Sequence, residues 1–306
     1  MPIKKSGTIW MNGKFVKWDN ATIHVLSHVV HYGSSWFEGI RCYDTKKGSA
    51  IFQLRPHLER LYDSTKIYHT KIPYTIEILE EVTIKLIKNN KLKSCYIRPV
   101  VYRGYGEMGL NPLKNPVEVA IAVWEWSSYL GDESLETGVK ACISSWQRLA
   151  PNTIPTMSKA GGNYLSSQLI KIEALENGFA EGIALDAYGN VSEGSGENIF
   201  LVKNGKVYTP SIADAILPGI TRASVIQILK DEGIEIIETT IPREFLMIAN
   251  EVFVTGTAAE ITPVCCINHQ TVDHGKPGKI TRLVQEKYFD IIKNGNDPHG
   301  WLTFIK

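Results

Sequence analysis

The chain has 306 residues, enough for one large domain or two moderate ones, and a chain of that length buries about three quarters of its unfolded surface without needing disulfides. Hydrophobic residues make up 43% and charged residues 21%, as in ordinary soluble globular proteins. The 33 basic and 32 acidic residues are interspersed and sum to +1, which excludes the basic stripe of a nucleic-acid binder.

The amino-terminal lysines, Lys4 and Lys5, are not followed by the apolar core of a signal peptide. Thr8-Ile9-Trp10-Met11, Asn12-Gly13 and Lys14-Phe15-Val16 then spell a tight hairpin. Helical spacing predicts a helix over 55–71, with Leu58, Leu61, Ser64 and Thr65 on one face. A second is predicted over 76–89, with Ile78, Val82, Lys85 and Leu86 together. Strands are expected at 94–98 and 117–125. The run Val117–Val123 is too short to span a membrane, which takes about 20 apolar residues. The polar, turn-rich stretch from Ser127 to Ser134 reads as an interdomain linker.

Beyond it, a helix is predicted over 164–176, with Leu165, Leu169, Ile172 and Leu175 as its apolar stripe and Asn177-Gly178 as its stop. Strands follow at 182–186 and 198–202, and Asn204-Gly205 turns the latter back into 206–209. A helix starts after Pro218-Gly219 and runs through Val225, Ile228 and Leu229 to Asp231-Glu232-Gly233. Mixed strands and helices without a regular βαβ rhythm indicate an α+β fold. The expected division is a small α/β domain over 1–126, a linker over 127–137 and a large domain over 138–306. The five cysteines have no metal-ligand spacing and suit a reduced, cytoplasmic setting.

Three segments carry chemistry. Lys159 stands among small, uncharged neighbours in Ser158-Lys159-Ala160-Gly161-Gly162-Asn163-Tyr164, where lost solvation would free the amine as a nucleophile. Leu217-Pro218-Gly219-Ile220-Thr221-Arg222 opens a helix whose first N–H groups suit an anion. Gly256-Thr257-Ala258-Ala259-Glu260 offers a second such cradle after a strand. With Glu193 on the glycine-rich stretch Glu193-Gly194-Ser195-Gly196-Glu197-Asn198, these segments suggest a phosphorylated aldehyde cofactor, pyridoxal 5'-phosphate.

The chain resembles the branched-chain amino acid aminotransferases of the fold-type IV pyridoxal-phosphate class. The likeness runs nearly end to end through Phe37-Glu38-Gly39-Ile40-Arg41, His57-Leu58-Glu59-Arg60-Leu61, Tyr96-Ile97-Arg98-Pro99, Ala150-Pro151-Asn152-Thr153 and the three segments above. It implies a two-domain fold with Lys159 in the large domain. By it, Lys159 forms the Schiff base and moves the proton between Cα and C4′, while Glu193 keeps the pyridine nitrogen protonated. Arg60, Ile220, Thr221 and Thr257 would hold the phosphate, and Tyr164 the ring hydroxyl. Phe37, Tyr32, Tyr129, Trp126 and Met108 would line the side-chain pocket. Arg98, with Tyr32 and Tyr129, would meet a distal carboxylate, and Tyr96, Thr257 and Ala258 the α-carboxylate. The implied reaction passes an amino group from leucine, isoleucine or valine to 2-oxoglutarate, in a homodimer or homohexamer with no nucleic-acid, membrane or metal partner.

Two readings compete. Another class IV enzyme, a D-amino acid or amine aminotransferase or an aminodeoxychorismate lyase, is opposed by Tyr96 and Arg98. A non-enzymatic binding protein would have no need of Lys159, Glu193 and two anion cradles together. The chain departs from the family pattern at Trp36, where smaller residues are common, and at Arg103-Gly104-Tyr105-Gly106-Glu107, which is expected to put charges near the pocket.

Overall fold

Asn12 and Gly13 both take positive φ, 48° and 87°, and close the first hairpin between β1 (Thr8–Met11) and β2 (Lys14–Lys17). The computed structural model describes residues 3–126 and 131–305. The expected pocket residue Tyr129 and the start of the expected linker lie outside them.

The described chain divides into two units. The first comprises Met1–Trp126, Ser158–Gly162 and Asp290–Lys306. After β2 come the short helix α1 (His28–Tyr32) and the strands β3 (Ser35–Phe37), β4 (Ile40–Thr45) and β5 (Gly48–Phe52). Helices α2 (Leu54–Ile67) and α3 (Ile76–Asn89) precede β6 (Cys95–Arg103) and β7 (Val117–Trp124). The antiparallel sheet runs β5-β4-β6-β7-β1-β2, with β3 also on β6 and a carboxy-terminal strand, Leu302–Phe304, on β5. Its core joins Ile40, Ile97, Val101 and Val123 from the strands to Leu58, Leu61, Leu79 and Leu86 from the helices.

Leu58, Leu61, Ser64 and Thr65 of α2 are buried as the spacing predicts, but the helix ends at Ile67 rather than 71. The chain cannot continue helically there because His69 takes φ 51°. Thr75 caps α3 by accepting the Ile78 N–H. Its inward face is Leu79, Thr83, Leu86 and Ile87, and Ile78 is exposed, so the predicted face is off by about one residue.

The second unit comprises Ser127–Met157 and Asn163–Phe289. Its elements are α4 (Asp132–Thr137), β8 (Val139–Ile143), α5 (Tyr164–Glu176), β9 (Glu181–Leu185), β10 (Asn190–Gly194), β11 (Asn198–Lys203) and β12 (Lys206–Thr209). There follow α6 (Ile220–Asp231), β13 (Ile236–Glu238), β14 (Ile241–Pro242), α7 (Phe245–Ile248), β15 (Glu251–Gly256), β16 (Glu260–Ile267), β17 (Gln270–Thr271) and α8 (Lys279–Phe289). The sheet order is β13-β12-β11-β15-β16-β8-β9-β10-β14, with β17 on β16. The pairs β12/β13, β8/β16 and β8/β9 are parallel, and the others antiparallel.

Two expectations need correction. The contiguous large domain over 138–306 fails because Ser158–Gly162 and the carboxy-terminal strand belong to the first unit, drawn there by pairing of Trp36 with Ala160 and of Leu302–Phe304 with β5. The stretch read as linker contains α4, whose Ser134 N–H and Oγ both bond to the Gly131 carbonyl. The stripe Leu165, Leu169, Ile172 and Leu175 of α5 faces outward, at 41–65% exposure, while Ser167, Ile170 and Ala174 face in. The buried face is the one that fits β9 closely: a Cβ on Gly182 would come within 2.6 Å of Ile170 Cγ2.

Candidate functional site

Lys159 is held by its own backbone. Its N–H donates to Ser64 Oγ at 3.0 Å, its carbonyl accepts from the Phe37 N–H at 3.1 Å, and Ser158 Oγ donates to the Ser64 carbonyl. The segment thus lies between β3 and α2, and Gly161 is required: a Cβ there would stand 2.3 Å from Ser35 Oγ. The Lys159 side chain is half-buried, with Nζ 5.2 Å from the centre of the Phe37 ring.

The same face of the first unit carries Tyr96 and Arg98, two residues apart on β6 and therefore on one side of the sheet. The Arg98 guanidinium lies over the rings of Phe37 and Tyr96, at 4.8 and 5.3 Å, and Nη2 reaches the Tyr96 hydroxyl at 3.4 Å. Tyr96 also packs on Trp124 and Trp126, at 5.1 and 4.7 Å between ring centres. Its hydroxyl sits over the backbone of Gly39, where a Cβ would be 2.0 Å away. Among the described residues Arg98 Nε, Trp124 Nε1 and Trp126 Nε1 are buried donors without a partner. Buried N–H groups are costly unless they bond, so this aromatic box suits a carboxylate. Trp124 was missed from sequence, although its two-residue spacing from Trp126 is the available signal.

Arg60 is not the surface charge its helix position suggests. Its Nε and Nη2 bond to the two oxygens of Glu38 at 2.7 and 2.8 Å, and Glu38 also meets His57 Nδ1 at 2.8 Å. Burial works against the charged carboxylate, but Arg60 and His57 outweigh it and hold Glu38 well below the usual range. Burial lowers the His57 pKa more than Glu38 raises it, leaving the ring neutral at pH 7. Glu38, His57 and Arg60 lie inside recognisable motifs, yet the pairing of Glu38 with His57 and Arg60 spans 19 and 22 residues and was not predicted.

Tyr32 is exposed, with its ring tilted against that of His28 at 4.5 Å between centres, and Met108 is exposed. The two departures also resolve. Trp36 points away from Phe37 into the core, against Tyr68. Arg103 is buried and bonds to Asn115, His69 and Thr70, while Glu107 pairs with Lys114 at the surface, so the expected charges near the pocket are not there.

In the second unit Glu193 is buried on β10. One oxygen pairs with Arg148 Nη2 at 2.7 Å; the other accepts from Asn198 Nδ2 and the Leu217 N–H, both at 3.0 Å. Asn198 also donates to the Leu217 carbonyl, and a Cβ on Gly219 would be 1.9 Å from Asn198 Oδ1. The start of α6 is thereby locked beside Glu193. Gly219 provides no side-chain cap, so the first turn keeps N–H groups at Ile220 and Thr221 for another acceptor. Asn198 is opposite Thr255 on β15, which leads to the turn of half-buried Thr257 and Ala258. Thr255 Oγ1 is buried without a partner. Tyr164, half-buried, opens α5. Arg148, which fixes Glu193, was missed because nothing local marks it.

These features fit pyridoxal 5'-phosphate: a clamped lysine, an uncapped helix start and small-residue turn for a phosphate, and a buried carboxylate for a ring nitrogen. Among the described residues no group of His, Cys, Asp and Glu could hold a metal ion, and no helix is long and apolar enough to cross a membrane.

Residues 35–267 match the family described as amino-transferase class IV. The chain is 48% identical to the branched-chain-amino-acid aminotransferase of Escherichia coli strain K12, over 100% of this chain and 99% of that protein. A crystal structure of the Escherichia coli enzyme superposes with a TM-score of 0.97, at 48% identity over 99% and 100% of the two chains. The T.th. branched-chain amino acid aminotransferase complexed with N-(5'-phosphopyridoxyl)-L-glutamate superposes at 0.94, with 44% identity over 99% of each chain. The chain belongs to the class IV aminotransferases, within the group of branched-chain-amino-acid aminotransferases.

Proposed function

We propose that this protein transfers the amino group of L-leucine, L-isoleucine or L-valine to 2-oxoglutarate, giving branched 2-oxo acids and L-glutamate. The observation that carries it is the box of Phe37, Tyr96, Arg98, Trp124 and Trp126. Its aromatic walls pack a branched alkyl chain, and its cation and buried donors receive a second carboxylate. One site can then accept an apolar and an acidic partner in turn.

The cofactor is pyridoxal 5'-phosphate, which when bound withdraws electrons from the substrate Cα. Lys159 would hold the cofactor and supply the amine that moves the proton at the substrate Cα. Its backbone clamp limits the search for that geometry. Glu193 would keep a proton on the pyridine nitrogen, and Arg148 orients Glu193. Arg60, steered by Glu38, binds the phosphate with the N–H groups of Ile220, Thr221 and Thr257, and Tyr164 bonds the ring hydroxyl. Tyr96 and the N–H groups of Thr257 and Ala258 hold the α-carboxylate, while Arg98 meets the distal one.

A homodimer or homohexamer is part of this reading, supported by the exposed apolar face of α5 and by exposed Tyr32 and Met108, which are available to a second copy. Tyr129 belongs to the proposed pocket as well. A cytoplasmic setting is supported by five free cysteines.

The test combines borohydride reduction of the holoenzyme with an amino-donor panel. Reduction should leave a pyridoxyl group on the Lys159 peptide and none in Lys159→Ala. Activity with L-leucine and none with its D form is expected; turnover of the D form alone would replace this reading with the D-amino acid one.

A further inference from the structure

A cavity of about 620 Å³ lies in the first unit where α2 ends and α3 begins. Ile72, Ile76 and the rings of Tyr62 and Tyr74 give it an apolar lining, and none of the residues assigned above to cofactor or substrate borders it. Its size is that of an ordinary small-molecule site. Tyr62 is no acid here: its hydroxyl donates to the Tyr74 carbonyl at 2.5 Å, and burial pushes its pKa up to about 12.

The charges around it are unbalanced. Lys66, Lys71 and Asp63 border the cavity, and among the described residues no ion pair engages either lysine. His69 and Thr70 also border it, and behind them stands Arg103, only 3% exposed. Its Nη2 donates to Thr70 Oγ1 at 2.9 Å and to the His69 carbonyl at 3.4 Å, and its Nη1 to the Asn115 carbonyl at 3.1 Å. Its Nε has no partner, and no carboxylate pairs with it among the described residues. A buried cation faced only by neutral acceptors is incompletely compensated, and its field reaches several ångströms through a low-dielectric wall. Glu77, the acid near Tyr62, is already bound to Arg55 at 2.8 Å. Two cations thus border the apolar hollow with one carboxylate, Asp63, and a third, Arg103, is buried behind its wall.

We propose that this cavity is a second, non-catalytic binding site for a monocarboxylate with a hydrophobic body. The carboxylate meets Lys66, Lys71 and the field of Arg103, and the body packs against Ile72, Tyr74 and Ile76. The branched 2-oxo acids of the proposed reaction belong to this chemical class, so occupancy would report their level. That regulatory consequence rests on the transaminase reading; the binding itself does not.

Equilibrium dialysis of the holoenzyme with 3-phenylpropanoate should reveal one site per chain that excess 2-oxoglutarate does not displace. Lys66→Glu with Lys71→Glu, both at the surface, should weaken that site by about tenfold or more. Ile76→Trp, which fills the hollow without changing charge, should abolish it, and the neutral 3-phenylpropanamide should bind about tenfold more weakly. The proposal is overturned if every bound molecule is displaced by 2-oxoglutarate, if both variants bind normally, or if the amide binds equally well. If the transaminase reading fails instead, the displaceable site disappears and the other remains.

Discussion

Arg98 lies over Phe37 and Tyr96 with a buried, unpartnered Nε, so its charge is directed into the aromatic box rather than spent on a protein carboxylate. Replacing it with Met keeps the packing and removes the charge. Loss of a charge-assisted hydrogen bond costs about 1.5–3 kcal/mol, so kcat/KM for 2-oxoglutarate should fall about 10- to 100-fold more than for 4-methyl-2-oxopentanoate. Equal losses in paired steady-state assays would show that Arg98 does not read the distal carboxylate. Glu38 offers a contrasting case, since it touches neither substrate nor cofactor in the proposed mechanism. Glu38→Gln leaves Arg60 without its buried counter-charge, a change of the kind that costs about 3–5 kcal/mol. Cofactor affinity, read by fluorescence titration of the apoenzyme, should weaken by tenfold or more, about 1.4 kcal/mol, with a lowered Tm; unchanged affinity would remove Arg60 from the phosphate site.

At the scale of elements, α5 shows what periodicity can and cannot report. Leu165, Leu169, Ile172 and Leu175 do recur at helical spacing, yet they face outward, and Ile170 and Ala174 make the contact with the sheet. An apolar stripe records a face that avoids water, not which surface covers it. If a second copy covers it, Leu169→Lys with Ile172→Lys should reduce the assembled mass in sedimentation without unfolding the chain. Ile170→Ala should instead destabilise it by about 2–5 kcal/mol. An unchanged mass in the first variant would take α5 out of the proposed interface. The start of α6 behaves differently, because Pro218-Gly219 marks an uncapped helix from sequence and Asn198 then fixes where that end points.

For the molecule as a whole, the second unit keeps a buried carboxylate pair beside the Glu193 strand. Glu181 accepts from Lys171 Nζ at 2.7 Å and from the Ser195 N–H at 3.1 Å, and so ties down the turn between β10 and β11. Burial, with the charge of Glu181 next, raises the Glu197 pKa from 4.5 to about 8. Folded Glu197 therefore holds its proton over a range in which the unfolded chain has released it. That contribution to stability is full below about pH 4.5 and is lost as the pH rises through about 8. Tm should fall between about pH 4.5 and 8, and Glu197→Gln should flatten the slope; an identical slope in the variant would assign the decline to other groups.

The sequence by itself determined the turns, most helix positions and the chemical segments, because each depends on neighbours a few residues apart. Asn12-Gly13, Pro218-Gly219 and the small residues around Lys159 are all of this kind. Tertiary structure alone decided that Ser158–Gly162 and the last strand belong to the first unit, that Glu38 holds Arg60 from 22 residues away, and that Arg148 holds Glu193. It also turned Arg103 inward, away from the pocket that its place in the loop suggests. The physical reason is common to all four. Charge pairing and strand pairing depend on distance in space, and which distant residues meet is fixed only when the sheets and helices pack.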